Sequence, residues 1–272
     1  MNQVELQHGA ATDVGSVREV NEDAYLAAPP VFVVADGMGG HEGGDVASSI
    51  VVEEFGRLAE AGYDPRGGAE AVTATLAACA ERIGEYADRQ HAHGVVRSAG
   101  TTAVAALLVE DDAGPAWLVA NLGDSRGYRY DGERLVQVTV DHSLVQELVD
   151  AGRIGAEEAA THPERNVITR ALGDATGAEP DFFSVPFDQG ARLLLCSDGV
   201  SGMLDHDEME RILAQRADPR DAAQALVAAA VAAGGEDNAT ALVVDVVGWA
   251  AEDTHDSERQ RESLEQKPGA RP

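Results

Sequence analysis

At 272 residues the chain is long enough to bury a real core, as one large domain or two small ones. Its 48 acidic against 20 basic residues give a formal net charge of −28, which repels nucleic acid and anionic membranes and excludes both as partners. No apolar run approaches the ~20 residues of a membrane span, the start MNQVELQHGA lacks a basic, apolar signal pattern, and Cys79 and Cys196 are too few for a disulfide framework or a zinc cluster, so a reducing cytosol is the expected home.

Val4 to Asp13 alternates loosely and predicts a first strand, followed by a polar loop to Asp23 and a short strand near Ala24 to Ala28. Pro29-Pro30 forces a turn into Val31 to Ala35, a continuous apolar run that reads as a strand buried on both faces. Helical spacing of Val46, Ile50, Val51, Phe55 and Leu58 predicts a helix over 44–61, and an Ala-rich helix follows over 69–90. Thr101 to Val109 and Ala116 to Leu122 read as strands, and Asp131-Gly132 turns a hairpin of 126–130 with 135–138. Two short helices with little apolar content, about 143–165, read as a surface insert or lid. Strands at 182–185 and 192–196, helices at 205–213 and 219–233 and a strand at 239–247 complete a domain over 1–248. The polar stretch 249–272 reads as a disordered tail. Runs of strands and helices with hairpin links favour α+β architecture: antiparallel sheets with helices outside.

Four acids share one setting. Asp36 follows VFVVA, Asp124 follows WLVANLG, Asp198 follows LLLCS, and Asp237 precedes ATALVVDV; each sits at a strand end beside or near glycine. Any one of them reads equally well as a turn residue or helix cap. Together they predict strand ends converging on one rim, where ionised carboxylates would repel unless a cation held them. All-oxygen ligands favour Mg²⁺ or Mn²⁺ over Zn²⁺, and more than two acids favour two ions sharing a carboxylate. Spacing does not say which acid binds which ion. Neither cysteine heads a loop that closes on an arginine, and no Walker loop or Gly-x-Ser-x-Gly elbow is present.

These residues resemble the metal-dependent protein phosphatase family, the protein phosphatase 2C type, and its bacterial branch in particular. The resemblance runs nearly to Gly248 through Arg18-Glu-Val-Asn-Glu-Asp23, Asp36-Gly-Met-Gly-Gly-His41, Gly100-Thr-Thr102, Gly123-Asp-Ser-Arg126, Asp141-His-Ser143, Thr169-Arg-Ala-Leu-Gly173, Ser197-Asp-Gly199 and Glu236-Asp-Asn238, in the family's order. It implies a four-layer αββα sandwich of two antiparallel sheets flanked by helices, and hydrolysis of phosphoserine and phosphothreonine in proteins. It implies that Asp36 bridges two Mn²⁺ or Mg²⁺ ions and that the Gly37 carbonyl ligates one. Asp198 and Asp237 would complete one shell, Glu22 would hold the second ion with Asp23 behind it, and Asp124 with Asp198 would hold a third, weaker ion. Arg18 would bind phosphate and Asn238 would orient water or phosphate.

A water between two cations loses a proton easily and attacks phosphorus in line, while the ions and Arg18 offset charge on the phosphoryl oxygens. His41 is the candidate proton donor to the leaving alkoxide, because Met38 stands where animal members have His. Thr101 and Thr102 read as core packing, and His142 and Ser143 as loop residues or substrate contacts. The expected partners are phosphorylated Ser/Thr proteins, the substrates of cytosolic Ser/Thr kinases, with the chain a monomer. The alternatives are a non-catalytic binding module on the same fold and a metal-dependent phosphodiesterase.

Overall fold

The computed structural model describes residues 4–39, 43–92, 99–112, 114–173 and 179–249. The strands are β1 (Val4–Asp13), β2 (Asp23–Ala28), β3 (Val31–Met38), β4 (Gly100–Thr101), β5 (Ala103–Asp111), β6 (Gly114–Leu122), β7 (Arg126–Tyr130), β8 (Leu135–Gln137), β9 (Asp181–Pro186), β10 (Arg192–Cys196) and β11 (Ala239–Trp249). The helices are α1 (Gly44–Ala61), α2 (Gly68–Ala92), α3 (Leu144–Asp150), α4 (Ala156–Ala160), α5 (Asp198–Ser201), α6 (His206–Gln215) and α7 (Pro219–Ala232). One sheet runs β1-β11-β10-β7-β8; the other runs β2-β3-β5-β6-β9, with β4 against β3. Every strand pairing is antiparallel.

Alternation along single strands builds the layers. In β3, Val31, Val33 and Ala35 pack with Phe55 and Val51 of α1 and Val72 and Leu76 of α2. The intervening Phe32 and Val34 join Leu193 and Leu195 of β10 and Leu242 and Val244 of β11 between the sheets. The other face of β10 and β11 places Leu194 and Val243 against Met209 of α6 and Leu226 of α7. Three apolar seams therefore bind four layers, the αββα sandwich that the resemblance implied. Side chains such as Phe55 and Leu226, fully buried, each contribute about 1.5–3 kcal/mol.

Most elements lie where the pattern put them. The single-turn α5 is new: Asp198 was expected to end a strand and instead also opens a helix. A short 3-10 turn at Pro65–Gly67 precedes α2, with Asp64 capping it. The expected insert holds α3 and α4, neither of which buries a residue. Strand β11 extends to Trp249, and the rest of the expected tail lies outside the described residues. Cys79 and Cys196 are free and buried; burial pushes the Cys196 thiol up to about 12, an inert small hydrophobe. Among the described residues no helix is long and apolar enough to cross a membrane.

Candidate active site

Asp36 stands directly opposite Asp23 in the β2–β3 ladder. Its backbone is fixed by the next strand pair. The Asp36 N–H donates to Thr102 Oγ1 at 3.0 Å, and Asp36 O accepts from Thr101 Oγ1 and Thr102 N, both at 2.9 Å. Thr102 Oγ1 also meets Ser125 Oγ at 2.7 Å. Thr101 and Thr102 are therefore the mount of Asp36 and not mere packing, which corrects the sequence reading. Their place in the Gly-Thr-Thr motif was the only signal.

Glu22 reaches the same point from the loop before β2. Its N–H donates to Asn238 Oδ1 at 2.8 Å, and its carbonyl accepts from Ser48 Oγ at 2.6 Å and Gly37 N at 3.1 Å. Glycine is required where β3 passes α1: a Cβ on Gly37 would lie 2.3 Å from Gly44 O and 2.5 Å from Glu22 O. A second close approach brings in the other acids. A Cβ on Gly199 would sit 2.0 Å from Asn238 O, so the turn carrying Asp198 rests on the turn carrying Asp237.

Asn238, expected to orient water or phosphate, is engaged within the chain. Its Nδ2 donates to Val14 O at 2.9 Å and Val20 O at 3.0 Å, while Oδ1 holds Glu22 N. The side chain is buried and its polar atoms are engaged, so it clasps the 14–22 loop. His142, one of the open readings, is also buried, at 4% exposure, and Ser143 caps α3 by accepting from Gln146 N. His41 lies outside the described residues.

The acids open on a cleft of about 530 Å³ lined by Arg18, Glu22, Asp36, Gly37, Asp198 and Asp237 among others. A second cavity of about 320 Å³, under α3 and α4, shares Asp198 and adds Asp124, Arg126 and Asp141. Burial, and then the charges of Asp23, Asp198 and Asp124, raise the Asp36 carboxyl well above its ordinary range. Asp23 and Asp124 are both pushed up to about 7, chiefly by burial, with Asp198 adding to each. Glu22 and Asp198 are raised by burial as well, Glu22 further by Asp45 and Asp198 by Asp237. Arg18 Nη2 donates to Asp237 Oδ2 at 2.7 Å across the mouth.

Buried oxygens on Asp23, Asp124 and Asp198 have no hydrogen-bond partner. A buried anionic oxygen without a donor is costly unless a proton or cation satisfies it. Hard divalent ions fit this set: oxygen donors, mutual repulsion and unsatisfied lone pairs. Among the described residues no three His, Cys, Asp or Glu side chains form a ready metal cage. The fit rests on the donor chemistry: acidic oxygens that raise one another's affinity for protons, several of them buried without a partner.

The protein phosphatase 2C family model matches residues 16–234. This chain belongs to that family. The serine/threonine phosphatase stp of Listeria monocytogenes is 38% identical over 245 residues, spanning 86% of this chain and 93% of that protein. The serine/threonine protein phosphatase PstP of Mycobacterium tuberculosis is 36% identical and spans 90% of this chain but 46% of its own length. The crystal structure of the PstP catalytic domain in complex with two manganese ions superposes with a TM-score of 0.76 at 36% identity, covering 89% of this chain and 99% of that one. This family member thus shares its fold with a domain whose structure holds a manganese pair.

Proposed function

We propose that this chain removes phosphate from phosphoserine and phosphothreonine side chains of proteins, using two Mn²⁺ or Mg²⁺ ions at the rim of the sandwich. The enzyme is a metal-dependent Ser/Thr phosphoprotein phosphatase. The observation that carries the reading is the set of buried, unpartnered carboxylate oxygens at converging strand ends, beside an arginine at the cleft mouth. The named relatives disfavour both the non-catalytic and the phosphodiesterase alternatives.

In this reading Asp36, Asp198, Asp237, Glu22 and the Gly37 carbonyl would hold the ion pair, and Asp124 with Asp198 would hold a weaker third ion. Bound ions supply an acidified water as nucleophile and offset phosphoryl charge. The chain's own work is positioning. Thr101 and Thr102 fix Asp36, Asn238 fixes the Glu22 loop, and Arg18, released from Asp237, can hold two phosphoryl oxygens at once. His41 donates the proton that the leaving serine or threonine oxygen takes. The acidic surface keeps nucleic acid and anionic lipid away, and the expected setting is a monomer in the cytosol facing the products of Ser/Thr kinases.

A phosphothreonine peptide tests this directly. Turnover should appear with Mn²⁺ and stop with chelator, and Asp237→Asn should abolish it. Full turnover in chelator, or in that variant, removes the metal assignment.

A further inference from the structure

His142 has no part in the reading above, yet both its ring nitrogens and both its backbone polar groups are engaged. Gly123 N donates to Nδ1 at 3.1 Å, which leaves Nε2 as the protonated nitrogen, facing Asp181 Oδ2 at 3.1 Å. Asp181 Oδ1 accepts from Arg170 Nη1 at 3.2 Å. The His142 backbone closes a second circuit: its N–H donates to Gly123 O at 2.9 Å, and its carbonyl accepts from Thr169 N at 2.8 Å. One residue therefore holds both the N–H and the C=O of Gly123, immediately before Asp124.

The other side of this residue leads to the catalytic cleft. Ile168 lines that cleft, next to Thr169. Leu172 exchanges two backbone hydrogen bonds with Thr101, at 3.1 and 2.9 Å, and Thr101 is the residue that holds Asp36 O. The 168–172 segment thus touches the mounts of both Asp36 and Asp124.

We propose that His142 is a positioning residue that aims the Asp124 carboxylate at Asp198 and ties that aim, through Thr169 and Asp181, to the Ile168 wall of the cleft. The inference rests on reading Asp124 and Asp198 as ligands of the third ion. The two ring nitrogens divide the labour: Nδ1 governs the acid and Nε2 governs the wall. Removing the partner that orients a ligand costs about 10–100-fold in metal affinity or activity.

The experiment titrates the full chain with Mn²⁺ by calorimetry and measures KM and kcat on a phosphopeptide. H142N keeps an acceptor near the Nδ1 position and loses the reach to Asp181. H142Q reaches Asp181 and abandons Gly123. D124N removes the acid itself, and D181A, at a half-buried position, removes the partner of both Nε2 and Arg170 and stands in if a His142 variant does not fold. D124N should erase the weakest Mn²⁺ step and leave the tighter ones. H142Q should weaken that step about 10–100-fold and lower kcat. H142N and D181A should leave the step unchanged and raise KM. Unaltered Mn²⁺ isotherms in H142Q, or a D181A effect on Mn²⁺ without one on KM, overturn the role of His142 while D124N still loses its step. If D124N keeps every step, the third-ion reading falls and the proposal falls with it.

Discussion

Strand β10 carries a buried charge near each end, and the two are treated in opposite ways. At one end Arg192 is 7% exposed, and its guanidinium makes five hydrogen bonds: two to Asp245 at 2.6 and 2.7 Å and three to the carbonyls of Leu213, Arg216 and Ala217. No donor is left over. Just past the other end, Asp198 has an oxygen with no partner and faces Asp36, Asp124 and Asp237. A saturated buried charge is a rivet that locks α6 to the sheet. An unsaturated one is a demand for something absent from the chain. Burial alone does not tell these apart; the count of open lone pairs does.

Substitutions sharpen that contrast. Asp36→Asn should cut Mn²⁺-dependent phosphopeptide turnover by at least about a thousandfold, since removing even one transition-state donor costs 10²–10³. The metal-free protein should melt no lower, because a repelling carboxylate has gone; a lower melting point with turnover retained would place Asp36 among the rivets. Arg192→Met should do the reverse. It strands Asp245 and should cost about 3–5 kcal/mol in urea unfolding, with turnover per folded molecule unchanged.

Protons offer a third test. Asp23 and Asp124 are raised from 3.8 to about 7 in the folded chain. Folding therefore takes up protons across that window, and the stability they confer is present below the unfolded value and lost as pH rises through the folded one. The metal-free protein should melt higher near pH 5 than near pH 8, and Mn²⁺ should stabilise it more at the higher pH, where ions need displace fewer protons. Equal melting curves would mean that these acids are satisfied in some other way. The smallest effect belongs to Thr102→Val, which removes the acceptor of the Asp36 N–H. Turnover should fall about 10–100-fold with about 1–3 kcal/mol of stability lost, measured by kinetics and melting together.

The layers and the acids were legible because their signals are local. A continuous apolar run such as Val31 to Ala35 marks a strand buried on both faces, and an acid beside glycine at its end marks the rim. What the sequence hid is non-local. Nothing near Asn238 in the sequence tells that its amide spans 216 positions to Glu22. Thr102 looks like strand filling until it is found bonding Asp36, 66 positions away. Arg192 opens a strand like any solvated basic residue; only the β10–β11 register sets it opposite Asp245. Hydroxyls and amides carry no hydropathy pattern, and register is a property of pairs of strands, not of either one.

Strand β11 lies between β1 and β10, and the turn that precedes it supplies both Asp237 and the Asn238 clasp on Val14, Val20 and Glu22. The rim is thus closed by the part of the chain that comes last in the order of strands, with Asn238 tying positions 14–22 to the start of β11.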